Sequence, residues 1–556
     1  MKGFLHKARD HVQSSLRKDE QPTTTRPPPP IPGSKPVFLR RNAAQTDQPP
    51  TIAEPSSLDV LRYRYHHGTN LGSIYVLEKW LHPSMFPGNA ASNQSSELEA
   101  VHLWVDQIGM DATRAKFETH WANAVSDDDL IWLSQSANCT SIRLPLGYFT
   151  LGPAFTQGTP FDQYSSIYTN AWPSVQHLTG RLRAHGIGVL LDLHALPGGA
   201  NGADHSGTNG ARADLWTSSS NQDLGVRCVQ FLAQQVRDGL DGVIGIQLCN
   251  EADWEAPGMY LWYDRCITAI SAIDASIPIY ISDAWNMSKA LDYAASKNTA
   301  FPLPPTCPVI VDTHLYWAFS DADKAKTPQT IISEVGTKLG VLDGKEGSVI
   351  DRGAVQVIVG EYSCVLTEDS WAKSGGDAKS DLVKRFGQAQ STRYQQRAGG
   401  SYFWTYKMDW LPGGEWGFSA QTTNGSITSP PPSRLAPSDI STRISTAAAQ
   451  RDTLMQRTVA AHVNYWDATA PGTSFEHWRF ENGWKVGFAD ASAFFGLRAS
   501  GALSEEQTRQ GADRIGCVEI WVLKRVRESG MRGGFVWEFE QGVRQGIRDF
   551  YLVVGV

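Results

Sequence analysis

Two glutamates each close an apolar run: Glu251 follows VIGIQLCN (243–250), and Glu361 ends VQVIVGE within VQVIVGEY (355–362). Two carboxyl groups brought together from separate runs can open a glycosidic bond. One, in its acid form, protonates the leaving oxygen, while the other, ionised, meets the oxocarbenium-like centre. Buried charge is costly unless it is compensated, so the neighbours of such a pair matter. Other apolar runs end at or just before Glu78, Arg143, His194, Asn250, His314 with Tyr316, and Trp404. Any one of these is as well explained as a helix cap or a solvated loop residue. Their coincidence is what points to a site. On this reading Glu251 is a general acid/base and Glu361 a nucleophile. Asn250 meets a sugar 2-hydroxyl, Arg143 and Tyr316 keep Glu361 ionised, and the crowding carboxyl raises Glu251.

Residues from distant segments converge in this way at the C-terminal mouth of a barrel. Eight runs qualify as strands: 70–77, 140–146, 187–194, 243–250, 277–283, 308–316, 355–362 and 400–407. Each is almost continuously apolar, as a strand buried on both faces must be. Helical stretches such as Gly225–Asp238 and Leu382–Gly399 separate them. This alternation predicts an α/β chain folded as a (β/α)8 TIM barrel. A disordered Pro-rich leader is expected over 1–58, with a short basic helix at 1–18. The barrel is expected over 59–470, interrupted by a Pro/Ser-rich loop at 421–441, with a helix over roughly 442–465. A helical, aromatic-rich extension is expected over 471–556, and nothing in it names a partner.

Composition removes other classes. A net charge of -7 supplies no basic surface for phosphates, so no nucleic-acid partner is expected. No run approaches a membrane span, and the N-terminus lacks the apolar core of a secretory signal. Seven scattered cysteines without CxxC spacing read as reduced, buried thiols. Together these predict an intracellular protein, with cytosol and mitochondrion both open. The histidines show no metal-ligand spacing and the glycine clusters no phosphate-loop pattern, so neither metal nor cofactor is expected.

Beyond these readings, NLGSIYVLEKWLHPSMF, FETHW, SIRLPLGYF, DLHALPGGANGADHSG, GIQLCNEADW, DTHLYWAF, VGEYS and YFWTYKMDW follow one another in order. They resemble the successive motifs of glycoside hydrolase family 5, in its branch of fungal exo-β-1,3-glucanases, over about residues 66–418. The resemblance implies a metal-free, retaining barrel enzyme with Glu251 as acid/base and Glu361 as nucleophile. Arg143, His194, Asn250, His314, Tyr316 and Trp404 would surround the first sugar, and Glu78 and Asp204 would hold its outer hydroxyls. Phe319 would be one wall of an aromatic clamp for the leaving group. Where that pattern has an aromatic residue before the aspartate and an asparagine after it, this chain has Ala203 and His205. The substrate implied is a β-glucoside, whether short glucan, glycolipid or other small glucoside. Transglycosylation is an alternative outcome, and a non-catalytic sugar-binding or scaffold role is the rival class.

Overall fold

Eight strands pair side by side, all parallel, and close on themselves in chain order. They are β1 (His66–Asn70), β2 (Ser141–Gly147), β3 (Gly188–Ala195), β4 (Val243–Gln247), β5 (Ile279–Ser282), β6 (Val309–Trp317), β7 (Val357–Leu366) and β8 (Gly400–Phe403). Closure is made by β1, whose His66 and Phe403-facing Thr69 align with β8. The computed structural model describes residues 52–91, 95–210, 212–505 and 510–556. The basic helix expected at 1–18 and the leader through residue 51 lie outside the described residues. The last part of the expected leader is ordered: Ser56 and Asp59 cap one another at the start of helix α1 (Ser57–Tyr63).

Seven strands fall where the apolar runs place them; the first does not. The run at 70–77 follows β1 instead of forming it. Its Leu71, Ile74, Val76 and Leu77 are fully buried as an irregular segment, with Ser73 in the left-handed region (φ 62°). The true first strand, HHGTN, reads as polar because its side chains fill the barrel and its walls instead of facing solvent. Gly68 is required there, since a Cβ would lie 1.8 Å from the Ser141 carbonyl oxygen.

Side chains alternate along a strand with period two, and this stacks the barrel interior in layers. Leu190, Ile244, Tyr280, Ile310, Ile358 and Tyr402 belong to the apolar cluster at the bottom. Two residues further along β3 and β6 come Asp192 and Asp312, and two further still His194 and His314. The charged layer and the histidines above it are thus placed by the same alternation that builds the core.

The C-terminal helices close the bottom of the barrel. These are α2 (Pro437–Thr469), α3 (Trp478–Leu497), α4 (Val518–Ser529) and α5 (Val536–Val554). Trp521, Phe494, Cys517 and Ile515 share one cluster with the bottom layer of strand residues, and Tyr63 of α1 meets Trp521 at 5.4 Å. Buried Arg64 is tied to Asp513 at 3.2 Å and to the Gly186 carbonyl at 2.7 Å. Glu540 of α5 accepts from the backbone N–H groups of Val349 and Ile350. The Pro/Ser-rich segment is less of a loop than its composition suggests. A helix over Phe418–Thr423 enters it and α2 begins at Pro437, because proline is well tolerated in the first helical turn.

Helices α3 and α5 cross at backbone contact. A Cβ on Gly483, Gly487, Gly542 or Gly546 would lie 2.0–2.2 Å from a carbonyl oxygen of the opposing helix. Replacing Gly546 by leucine is therefore expected to force the pair apart and lower stability by ~3 kcal/mol. Urea denaturation of the two proteins checks this; an unchanged midpoint would mean that the crossing is loose.

Candidate active site

Arg143 is the hub. It rises from β2 fully buried and divides its guanidinium among four side chains. Nε donates to Gln247 (2.9 Å), Nη1 to Asn70 (2.9 Å) and Glu361 (3.0 Å), and Nη2 to Asn250 (2.7 Å). Asp192 lies 3.0 Å and Asp312 3.8 Å from Nη2. Burial alone would favour the neutral guanidine, but these carboxylates outweigh it and hold the cation. Burial pushes Asp192 up to about 7 against the pull of Arg143.

Glu361 sits on β7 and receives a hydrogen bond on each oxygen, from Arg143 Nη1 at 3.0 Å and from Tyr316 Oη at 2.9 Å. Its predecessor must be glycine. A Cβ at Gly360 would lie 2.1 Å from an Asp312 carboxylate oxygen. Glu251 lies just past β4 with φ +42°, a left-handed conformation that costs roughly 1–3 kcal/mol outside glycine. Asn201 Nδ2 donates to its carbonyl at 2.9 Å, and Ser282 Oγ accepts from the next amide, of Ala252, at 3.3 Å.

His314 stands between the two glutamates. Its Nδ1 is 2.8 Å from Glu251 Oε1 and 3.4 Å from Glu361 Oε2, while Nε2 faces Asp312 at 3.2 Å. One oxygen of each glutamate and a ring nitrogen of His314 lie within 4.8 Å of one another. Burial disfavours the imidazolium, but Glu361 and Asp312 outweigh it and hold His314 protonated, well above the usual histidine range. This reverses the expected polarity of the pair. Burial would raise Glu251, yet the His314 hydrogen bond and charge bring it down to about 2. Burial raises Glu361 despite His314 and Arg143. The expectation failed because it placed only Arg143 and Tyr316 beside Glu361 and put no cation beside Glu251.

The surrounding residues take the following positions. His194, kept neutral by burial, faces Asp192 through Nδ1 (2.8 Å) and meets Asn250 Nδ2 at 3.3 Å. Trp404 lies parallel to the His194 ring at 5.7 Å. Glu78 comes from the irregular segment after β1, not from the strand end itself. It accepts from Trp80 Nε1 at 2.8 Å. Burial, then the carboxyls of Glu361, Asp204 and Glu251, push Glu78 well above the usual range. Asp204 opens the helical turn Asp204–Ser206. Phe319 packs edge-on against Tyr316 at 5.5 Å, beside Trp80 and Trp416.

Four contributors were not read from the sequence: Asn70, Asp192, Gln247 and Asp312. The signal was present in DLH and DTH, where an aspartate precedes each histidine by two residues and so shares its face. His205, which stands where the family pattern has an asparagine, is nine-tenths buried. Its Nε2 lies 3.4 Å from Glu251 Oε2.

The barrel carries a match to the cellulase model of glycosyl hydrolase family 5 over residues 105–395. Glucan 1,3-beta-glucosidase 3 of Schizosaccharomyces pombe is 30% identical over 87% of this chain and 95% of its own length. This chain belongs to glycoside hydrolase family 5. It is a glycoside hydrolase of the fungal glucan 1,3-beta-glucosidase type. An uncharacterized glycosyl hydrolase of Saccharomyces cerevisiae is 27% identical over 90% of this chain and 94% of its own. Residues 447–554 match the glucan 1,3-beta-glucosidase 3 C-terminal domain. A rutinosidase from Aspergillus niger shares the fold, with TM-score 0.50 and 15% identity over 66% of this chain and 99% of that one.

His314 gives the family 5 site a pH dependence that can be checked. The acid limb is expected from protonation of Glu361, raised above the ordinary carboxyl range, and the alkaline limb from loss of the His314 proton. In His314→Gln the proton must reside on Glu251 alone. The alkaline limb of kcat/KM should then move down by about one pH unit or more. A pH profile with aryl β-glucoside reads this directly; an unmoved limb would remove His314 from the proton inventory.

Proposed function

We propose that the enzyme is a retaining, exo-acting β-glucosidase that releases terminal β-linked glucose by double displacement. The observation that carries this reading is the closeness of Glu251 and Glu361, with one oxygen of each and the His314 ring nitrogen inside 4.8 Å. Carboxyl groups about 5–5.5 Å apart suit direct attack, whereas inverting enzymes need roughly 6.5–9.5 Å to admit a water. Glu361, oriented by Arg143 and Tyr316, attacks the anomeric carbon while Glu251 protonates the departing oxygen. Glu251 then takes a proton from water, which attacks the glycosyl ester and frees Glu361. The transferable proton belongs to the Glu251–His314 pair, which titrates as a unit.

Exo action is supported by Glu78 and Asp204. The Glu78 carboxyl feels the charges of Glu361, Asp204 and Glu251, and the two outer carboxyls would serve as hydrogen-bond partners for the far hydroxyls of a single glucose. The aromatic group of Phe319, Trp80 and Trp416 offers apolar faces for the aglycone, whether short β-glucan, glycolipid or another small glucoside. A bound acceptor sugar on those faces would divert the same intermediate to transglycosylation. An intracellular location is part of the proposal. All seven cysteines are buried and unpaired, which suits a reducing compartment, and a fluorescent fusion would test it.

The test is the time course on a β-1,3-linked glucose tetramer. Free glucose and trimer should appear first. Early release of dimer would contradict exo action.

A further inference from the structure

The C-terminal region holds a second cluster of ligand-type side chains, far from the sugar site. Glu538, in the first turn of α5, is completely buried. Its Oε1 accepts from the Glu476 amide at 2.9 Å. Its Oε2 faces His462 Nε2 at 3.1 Å and His477 Nδ1 at 3.0 Å. One ligand atom from each of the three residues lies within 4.8 Å of the others. They come from the end of α2, the residue before α3 and the start of α5, so no short sequence spacing could show them.

His477 is the informative member. Its Nδ1 faces Glu538, and its Nε2 faces Asp467 Oδ1 at 3.1 Å. One ring nitrogen is thus aimed into the cluster and the other at an outer carboxylate, the arrangement that zinc-bound histidines commonly show, with the outer N–H donated to a carboxylate. At zinc–ligand distances of about 2.1 Å, tetrahedral ligands stand about 3.4 Å apart. The contacts of 3.0 and 3.1 Å need to open only slightly to admit the ion. Aromatic rings supply a dry surround: Phe480 stacks on His462 at 3.8 Å and Phe475 on His477 at 5.3 Å.

We propose that His462, His477 and Glu538 bind one zinc ion, with a fourth position left to water, and that the ion clasps α2, α3 and α5 together. Its role is structural and separate from sugar cleavage.

The test uses the full-length protein. After dialysis against micromolar zinc and gel filtration, wild type should carry about one zinc per chain. Chelator should lower its melting temperature without abolishing aryl β-glucoside turnover at low temperature. Co2+ in place of Zn2+ should give the visible bands of a tetrahedral imidazole site, a readout that needs no variant. His477→Gln, folded by circular dichroism, should bind zinc at least ~10-fold more weakly. Wild type that binds no zinc, and whose melting temperature ignores both zinc and chelator, would overturn the proposal. So would zinc retained by His477→Gln but lost from Glu361→Ala, which would place the ion in the sugar pocket.

Discussion

Glu361→Ala is expected to lose aryl β-glucoside turnover by on the order of 10^4-fold or more, because no covalent intermediate can form. The protein should still fold, since Arg143 keeps Asp192 and Asp312 as partners when Glu361 is gone. Azide then distinguishes the two glutamates. In Glu361→Ala the anion fits the space of the missing carboxylate and attacks from that face, giving α-glucosyl azide. In Glu251→Ala with an activated aryl leaving group, Glu361 still forms the glycosyl ester. Azide then displaces it from the opposite face and gives β-glucosyl azide. Product anomers by NMR decide the matter. The exchange is worth doing here because His314 holds Glu251 low and burial holds Glu361 high, so charge alone does not name the roles. Swapped anomers would exchange the roles of the two residues.

Removal of residues 437–556 is expected to leave an insoluble barrel. The deletion uncovers Leu190, Ile244, Tyr280, Ile310, Ile358 and Tyr402 at the barrel bottom and strands α1, whose Val60 and Leu61 pack in the same cluster. It also removes Asp513, the carboxylate partner of Arg64. Together these exceed what a domain of ordinary stability can lose. Soluble yield and dye binding to exposed apolar surface measure the outcome. A soluble, active truncated barrel would show that the C-terminal helices dock on the barrel without supporting it.

The parts of this architecture that were legible in the sequence share a physical cause. Parallel strands covered on both faces must be apolar, so VIVDTHLYW and VQVIVGEY declare themselves. The same rule misleads at β1. HHGTN is buried yet polar, and the apolar NLGSIYVL beside it packs as an irregular segment. Glu251 and Glu361 were legible because carboxylates ending buried runs need a reason. Asp192 and Asp312 were hidden mid-run, although period two places each beneath a histidine. The polarity of the carboxyl pair depended on where His314 points, which no spacing reveals. In the C-terminal region the aromatic residues drew attention, while the decisive residues were glycines 483, 487, 542 and 546, which allow two helices to touch. Their partners lie far along the chain, so local pattern is silent about them. The packing of these helices under the barrel is likewise a long-range fact.

The most direct test of the central claim is the configuration of the first glucose released by wild-type protein from an aryl β-glucoside. Proton NMR follows it before mutarotation. Two displacements, through Glu361 and then water, predict β-glucose first, with the α anomer growing in only at the rate of spontaneous mutarotation. If α-glucose appears first, water attacks directly, and the assignment of Glu361 as nucleophile is wrong.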